Sequence, residues 1–562
     1  PYVSDFSGNV TELCPVGALT SKTYRFKSRP WDNHRTTTTC TQCSVGCQMH
    51  VDERGNTILR TMSVEADDQI SDGWLCDRGR YNVGYVADER RITQPLQQEN
   101  GSWSQLAWDD AIALWAAKLK AALAAGGPQS VGVLGGGRLL NEEAFLLQHI
   151  HRAQGIENLD WRAGRQLRAH PGALGGSHLD LENAQAIVTY GRSAAQLAPV
   201  LDLRIRKAVA RKGATLISIG DHLASRVIPS QVVATVAQAQ EALPADAQRI
   251  ALVWDGTEAA QAGSLLALAD SLRDAGKTVN LFIPGEAPNA RGAEAVGMLP
   301  HGNGWDTCAM LEAGRDGKLA VLAIFGANPL LHYPDRALVD AALAKIPFVV
   351  VSELFMTETA QRATLILPAC SAFEKSGTTI DLAGDVLPVM GSVVAPGEAK
   401  ADGDMLVLLA DALDVGLPDP VELEQAVASA AGKAPRDGRA LPAPSSAAPS
   451  AGDNLRLIVE SAIFTGGGTS AFDERVAGLR TEPRAKLHPQ TAATLGVSDG
   501  GSIDITSASG LGSLENLSVM VTERVPQGAV AIVDGLPDAP ANALAANAVR
   551  VTAARAVSGA GV

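Results

Sequence analysis

The chain is short of basic residues, of long apolar runs and of cysteine, and each shortage closes off a class of function. Lys and Arg number 47 against 61 Asp and Glu, a net charge of −14. That balance is wrong for a surface built to grip phosphate backbones, so nucleic acid is not an expected partner and a soluble or peripheral protein is. No apolar stretch approaches the roughly 20 residues a membrane helix needs, and the chain opens without a charged, apolar and small-residue leader. Seven cysteines are odd in number and closely clustered. They fit metal binding in a reducing compartment, and hence a cytoplasmic location, better than a disulfide framework. The sequence begins at Pro1 with a motif already under way, so the natural N-terminus is expected upstream. At 562 residues the chain should form three or four domains, because one hydrophobic core rarely organises so many residues.

What the chain does have is a cysteine quartet. CTQCSVGC places Cys40, Cys43 and Cys47 in one loop, and GWLCDRG supplies Cys76 downstream. Thiolates two and three residues apart can converge on a soft metal centre from a tight turn, while a distant fourth ties two segments together. Zinc is the rival occupant. A zinc ribbon normally has two close pairs, whereas three cysteines crowding one loop with a single distant fourth suit a [4Fe-4S] cubane. Cys14 precedes Pro15, a familiar iron-sulfur ending because proline turns the chain away after the last thiolate. Read alone, the same pair also fits a small buried thiol in a turn.

Residues 1–39 read as the end of an upstream iron-sulfur region, and 40–95 as a compact metal-nucleated domain with a hairpin turning at Gly55 and Asn56. Helices then alternate with apolar strands through 96–430. A helix is expected to start at a serine cap in SWSQLAWDDAIALWAAKLKAALAAGG. SVGVLGGGR reads as a strand and glycine turn, with a plain strand-to-helix connection preferred over a phosphate loop. His149 and His151 stand two apart on the following helix and face different directions, so they are not a ligand pair. Strands are expected at 186–191, 215–220, 249–256, 278–285, 319–326, 348–353 and 363–368. Near-continuous apolar strands between helices imply α/β architecture with doubly wound parallel sheets. Ligands in such sheets sit beyond the strands' carboxyl ends, near 191–193, 326–329 and 368–379. Cys308 and Cys370 have no nearby partners and read as structural thiols. Residues 431–454, rich in proline, alanine, serine and glycine, read as a linker. Residues 455–562 read as a β-rich domain with strands in GSIDITS, LSVMVTE and GAVAIVDG.

These stretches, with RLLNEEAFLLQHI, RGAEAVGMLP, FGANPLLHYPD and FMTETAQRATLILPACSAFEKSGTT, make the chain resemble the molybdopterin-oxidoreductase family. The likeness is strongest to its G-subunit (75 kDa) group in bacterial respiratory complex I, NADH:quinone oxidoreductase. The resemblance implies that Cys14 in CPVGAL is the fourth ligand of a [4Fe-4S] cluster whose other ligands lie upstream. It further implies that Cys40, Cys43, Cys47 and Cys76 hold an additional [4Fe-4S] cluster off the main electron path, present in some bacterial members. The missing upstream part would carry a ferredoxin-like binuclear cluster and further tetranuclear ligands. Expected partners are the other peripheral-arm subunits, including the NADH/FMN-binding subunit and downstream iron-sulfur subunits, on the cytoplasmic side of the inner membrane.

The alternative within the family is a catalytic formate-dehydrogenase-like enzyme with a molybdenum or tungsten bis-pterin centre. Active relatives use a cysteine or selenocysteine beside a histidine, but RAQGIENLDWRAGRQLRAHPGALGG has no cysteine, and its His170 is followed by proline. Arg78 stands where relatives place a lysine between cluster and pterin. IGDHLASR replaces an Asp-Pro-Arg turn, and no Gly-Thr-Asp loop is recognisable in VATVAQAQEAL. Asp385 after Gly384 puts an anion where the family has a phosphate-binding arginine. The expectation is a retained fold with no catalytic residue of its own, no molybdopterin, and an iron-sulfur and structural role, the quartet stabilising the junction with the α/β body. A zinc-stapled interaction module is the third reading.

Overall fold

The computed structural model describes residues 4–64, 69–166, 175–220, 225, 227–257, 259–430, 454–465, 468–510, 512–545 and 548–554. Most of the expected linker, His170 and part of IGDHLASR fall outside them.

The cysteine-bearing region is a three-stranded antiparallel sheet, His34–Thr39, Gln48–Arg54 and Thr57–Ser63. Its hairpin turns at Gly55 and Asn56, whose φ values of 59° and 60° are the paired left-handed residues of a type I′ turn, which matches the right-handed twist of the strands.

The α/β body contains two mainly parallel sheets. In the larger, the spatial order is Ser102–Gln105, Leu96–Glu99, Leu365–Pro368, Phe348–Glu353, Val321–Phe325, Val131–Gly135 and Leu159–Asp160. Its five parallel strands, taken in chain order, follow the 2-1-3-4-5 arrangement of a doubly wound sheet, with the order reversing between Val131–Gly135 and Val321–Phe325. The smaller sheet lies between Leu159–Asp160 and Val321–Phe325 in the chain. It orders Gln231–Val233, Thr215–Ile219, Ala186–Tyr190, Arg249–Trp254 and Thr278–Phe282. This is the 3-2-1-4-5 arrangement, reversing beside Ala186–Tyr190. VLAIF at 321–325 is buried throughout, as a strand covered on both faces must be.

The first long helix runs Trp108–Gly126 and not from a serine cap. Ser102–Gln105 is instead an edge strand paired antiparallel with Leu96–Glu99, because Asn100 and Gly101, at φ 52° and 81°, form the hairpin turn that fixes the pairing. The helix buries Trp108, Ala111, Ile112, Trp115, Ala116, Leu119 and Ala122 at helical spacing, and Asp109 and Asp110 complement its positive N-terminal end. Trp115 packs against Phe325 with ring centroids 6.0 Å apart, which joins this helix to the centre of the larger sheet.

The C-terminal region closes into a barrel: Asn454–Glu460, Ala529–Val533, Arg484–Leu487, Ser513–Val521, Ser502–Ser507 and Ala548–Ala553. Closure removes the exposed strand edges that a flat sheet of these short strands would leave. No helix among the described residues is long and apolar enough to cross a membrane.

Candidate metal centre and the cavity beside it

The quartet is assembled at the open end of the small sheet. Cys40 follows the first strand, Cys47 precedes the second, and the Cys40 N–H donates to the Cys47 carbonyl at 2.8 Å. Gly46, at φ 75°, turns the loop between them. Cys76 stands just before the short helix Asp77–Tyr81. Cys40, Cys47 and Cys76 are buried and Cys43 is half-buried. Gly79 leaves the space beside the quartet, since a Cβ there would lie 3.0 Å from Cys40 Sγ. Burial pushes the thiols of Cys40 and Cys43 up and that of Cys76 up to about 11. The neighbouring Cys43 adds to the rise in Cys40 and Cys76, and Arg78 acts against it in all three. Metal must therefore displace protons to bind here.

Four thiols with no carboxylate or imidazole among them form a soft donor set suited to iron-sulfur or zinc. Among the described residues no three His, Cys, Asp or Glu side chains converge as closely as a single ion requires. Zinc would draw four sulfurs to about 2.3 Å from one point. A polynuclear cluster instead spreads its thiolates over separate irons.

Cys14 lies on a different loop and is half-buried. The backbone N–H of Leu19 lowers its thiol pKa most. Desolvation opposes this, and the amides of Val16, Ala18 and Gly17 add to the lowering. The CPVGAL turn is thus a nest of N–H donors around one sulfur, the setting that stabilises a thiolate.

Arg78 is spent locally. Its guanidinium donates to the carbonyls of Gln196 at 2.8 Å, Ile463 at 3.0 Å, Ala462 at 3.3 Å and Gln42 at 3.4 Å.

Beyond Arg78 opens a cavity of about 330 Å³. Its walls include Gly135, Gly137 and Arg138 from one side of the larger sheet's reversal and Gly326 to Asn328 from the other, with Ala369 to Ala372, Arg192 and Lys375. This is where a doubly wound sheet receives a ligand, and where the carboxyl-end stretches were expected. The glycine turn after Val131–Gly135 has a steric cause: a Cβ on Gly135, at φ 102°, would meet the Phe325 carbonyl oxygen at 2.2 Å. Cys370 lies in the cavity wall, its thiol pushed up to about 12 first by burial and then by Glu374. Cys308 is half-buried, hydrogen-bonded to Tyr333 and likewise raised by burial.

Two of the four Arg and Lys side chains that line the cavity, Arg192 and Lys375, are paired with carboxylates. Arg192 donates to Asp255 at 2.8 Å and Glu286 at 2.5 Å. Lys375 donates to Glu143 at 2.6 Å and Asp402 at 2.9 Å. Glu353 at the end of its strand is raised to about 7 by burial, although the Leu354 N–H and Arg138 favour its ionised form. These pairs were not legible from sequence, because each joins residues more than 25 positions apart.

Gly384 and Asp385 do not line this cavity. Gly384 faces Arg291, whose guanidinium donates to the Leu382 carbonyl at 2.6 Å, so a cation from another element stands beside the loop. Asp381 there accepts from the N–H groups of Gly384 and Asp385 and faces His178 at 3.3 Å. Asp385, the anion expected to repel a bound diphosphate, joins this network through its backbone outside the cavity, its carboxyl pushed up by burial and then by Asp381. VATVAQAQEAL runs from the last residue of the edge strand Gln231–Val233 through helix Val236–Ala242, also away from the cavity. His149 reaches the Gly416 carbonyl, whereas His151 is buried with its pKa pushed down to about 4 by desolvation. The two histidines share no site.

Residues 33–88 match the Molybdopterin oxidoreductase Fe4S4 domain, residues 91–251 and 254–412 match Molybdopterin oxidoreductase, and residues 467–559 match the Molydopterin dinucleotide binding domain. The G subunit of NADH-quinone oxidoreductase from Streptomyces coelicolor is 31% identical, covering 93% of this chain and 70% of the relative. The protein of the same name from Mycobacterium bovis is 28% identical over 91% of this chain and 70% of its own length. The alpha subunit of NADPH-Fe(3+) oxidoreductase from Geobacter sulfurreducens is 25% identical over 91% and 73%. Among solved structures, acetylene hydratase from Pelobacter acetylenicus shares the fold at a TM-score of 0.58 and 15% identity, covering 89% of this chain and 92% of that one. The chain belongs to the molybdopterin oxidoreductase family and, within it, to the group of NADH-quinone oxidoreductase G subunits.

Proposed function

We propose that this chain is an iron-sulfur electron-transfer and structural subunit of an NADH:quinone oxidoreductase, with a molybdopterin-type fold that no longer catalyses. The observation that carries the reading is the pairing of a four-thiol cradle with a cavity two of whose cations are held by carboxylates and a third by backbone carbonyls. Arg78 is turned onto backbone carbonyls, and Arg192 and Lys375 are held by carboxylates. A pterin diphosphate entering here would have to break buried ion pairs, which costs several kcal/mol each.

Cys40, Cys43, Cys47 and Cys76 would hold one [4Fe-4S] cluster, which when bound supplies one-electron transfer. The chain's own contribution is to exclude water from the thiols, to leave space through Gly79 and to place the Arg78 charge beside them. Cys14 would be the fourth ligand of a second cluster completed by cysteines outside this sequence. Its nest of amides supports that role, as do the exposed apolar side chains of Leu13, Val16 and Leu19 flanking it in sequence, which suit a contact surface. Other peripheral-arm subunits, the NADH/FMN-binding one among them, would cover it, on the cytoplasmic face of the membrane.

Serine variants in the assembled complex test the reading. Cys14→Ser should abolish NADH-driven quinone reduction. Cys43→Ser should remove one tetranuclear EPR signal while turnover persists. Full activity in Cys14→Ser refutes the electron-path role.

A further inference from the structure

We propose that Arg78 is a latch through which a filled cysteine quartet holds the start of the C-terminal barrel region in place. The inference rests on the reading of the quartet as a cluster site. Arg78 stands in the helix after Cys76, and its four acceptors come from three separate parts of the chain. Gln42 belongs to the quartet loop, Gln196 follows the first strand of the smaller sheet, and Ala462 and Ile463 follow the first barrel strand. All four acceptors are neutral carbonyls. Among the described residues no carboxylate forms an ion pair with Arg78, although Arg80, two positions on, is paired with Glu12.

Arg78 is half-buried, and its guanidinium, always charged, is partly withdrawn from water without a counter-charge. Arg78 stands two residues after Cys76, and its guanidinium donates to the carbonyl of Gln42, the residue before Cys43, so its charge lies beside the thiols of the quartet. Metal ligation converts these thiols to thiolates, so filling the quartet places the missing anion beside the guanidinium. The filled site fixes Arg78 where it reaches the carbonyls of Ala462 and Ile463. By linkage, seating of that segment must favour cluster retention to the same degree. Other ties to the same region carry no such dependence. Asn82 donates to Thr469 at 2.9 Å, the Gly84 N–H to Asp473 at 2.6 Å, and Arg475 to the Ile58 carbonyl at 2.7 Å. These hold the segment whether or not the quartet is filled, which leaves Arg78 as the contact that reports occupancy.

Hydrogen exchange on the full chain, read by mass spectrometry with and without anaerobic iron-sulfide reconstitution, tests this. In the wild type, reconstitution should slow exchange in peptides spanning 455–465 by about tenfold, the scale of one charge-assisted hydrogen bond. In Arg78→Gln those peptides should exchange at one fast rate in both states, while peptides spanning 321–325 stay as protected as in the wild type and so report an intact fold. Arg78→Lys keeps the charge but not the fork, and should restore only part of the difference. Cluster-dependent protection that persists in Arg78→Gln overturns the latch, as does its absence in iron-loaded wild type. Iron and sulfide analysis of the same samples separates the two levels, because a wild-type quartet that takes up neither overturns the cluster reading beneath it.

Discussion

Arg91 and Glu374 form the ion pair whose removal should be felt most. Their side chains are 1% and 0% exposed. Arg91 donates to both carboxylate oxygens at 3.0 Å and also to the carbonyls of Val86 and Ala369, and Glu374 accepts a further bond from the Ser371 N–H at 2.6 Å. The pair thus fastens the end of the cysteine-bearing region to the last parallel strand of the larger sheet. Arg91→Met leaves a buried carboxylate with one N–H partner, and Glu374→Leu leaves a buried guanidinium with two carbonyls. Each single change should cost about 3–5 kcal/mol, whereas replacing both by apolar side chains should cost far less than the sum, because no unpaired charge remains. Urea unfolding followed by circular dichroism, comparing the four proteins within the same transition, measures this. Several domains share the chain, so midpoint differences are read and a single global free energy is not. Single losses below about 1 kcal/mol, or a double variant as unstable as the summed singles, would refute the reasoning.

Glu182 supplies an acid-side test. Burial alone raises its carboxyl, but hydrogen bonds from Lys212, Arg204 and Lys207 outweigh this and hold it at about 2, against 4.5 ordinarily. Its stabilising contribution is present above about 4.5 and lost as pH falls toward 2, so Glu182→Gln should flatten stability across that window in acid titrations monitored by circular dichroism. Glu353 runs the other way. With burial holding its carboxyl at about 7, the folded state keeps a proton that the unfolded chain releases, and stability falls as pH rises from about 4.5 to 7. An infrared band of a protonated carboxyl that titrates near neutrality and vanishes in Glu353→Gln would show it, and a band absent at pH 6 would contradict it. In the isolated, metal-free chain, Cys14 should be alkylated by iodoacetamide well before Cys370. The first thiol is lowered by its amide nest, and the second is pushed up to about 12. Equal rates would remove the case for the nest.

The parts of the fold written in local pattern could be read from sequence. The apolar runs at 321–325 and 348–353 announced parallel strands, and Gly55 with Asn56 announced their hairpin. The same turn chemistry stands at Asn100 and Gly101, but the strong helical periodicity that follows masks it and makes Ser102–Gln105 look like the start of the helix. Cys40, Cys43 and Cys47 stand out in the sequence because they share one loop, whereas Cys76 lies 29 positions beyond Cys47. The ion pairs of the cavity are not legible there, since Lys375 meets Glu143 and Asp402 only after the sheet reversal folds three distant segments together. Arg78 shows both sides. Its identity signalled a change at the cluster's edge, but only the structure shows its charge turned onto carbonyls of the barrel region.

The central claim is that the cysteine cradle holds a tetranuclear cluster beside a cavity without molybdopterin. Metal analysis with EPR on the anaerobically reconstituted chain tests it most directly. The account predicts about four iron and four sulfide per quartet, a reduced-state signal lost in Cys43→Ser, and no molybdenum or tungsten. Stoichiometric molybdenum or tungsten, or zinc bound in place of iron, would contradict it.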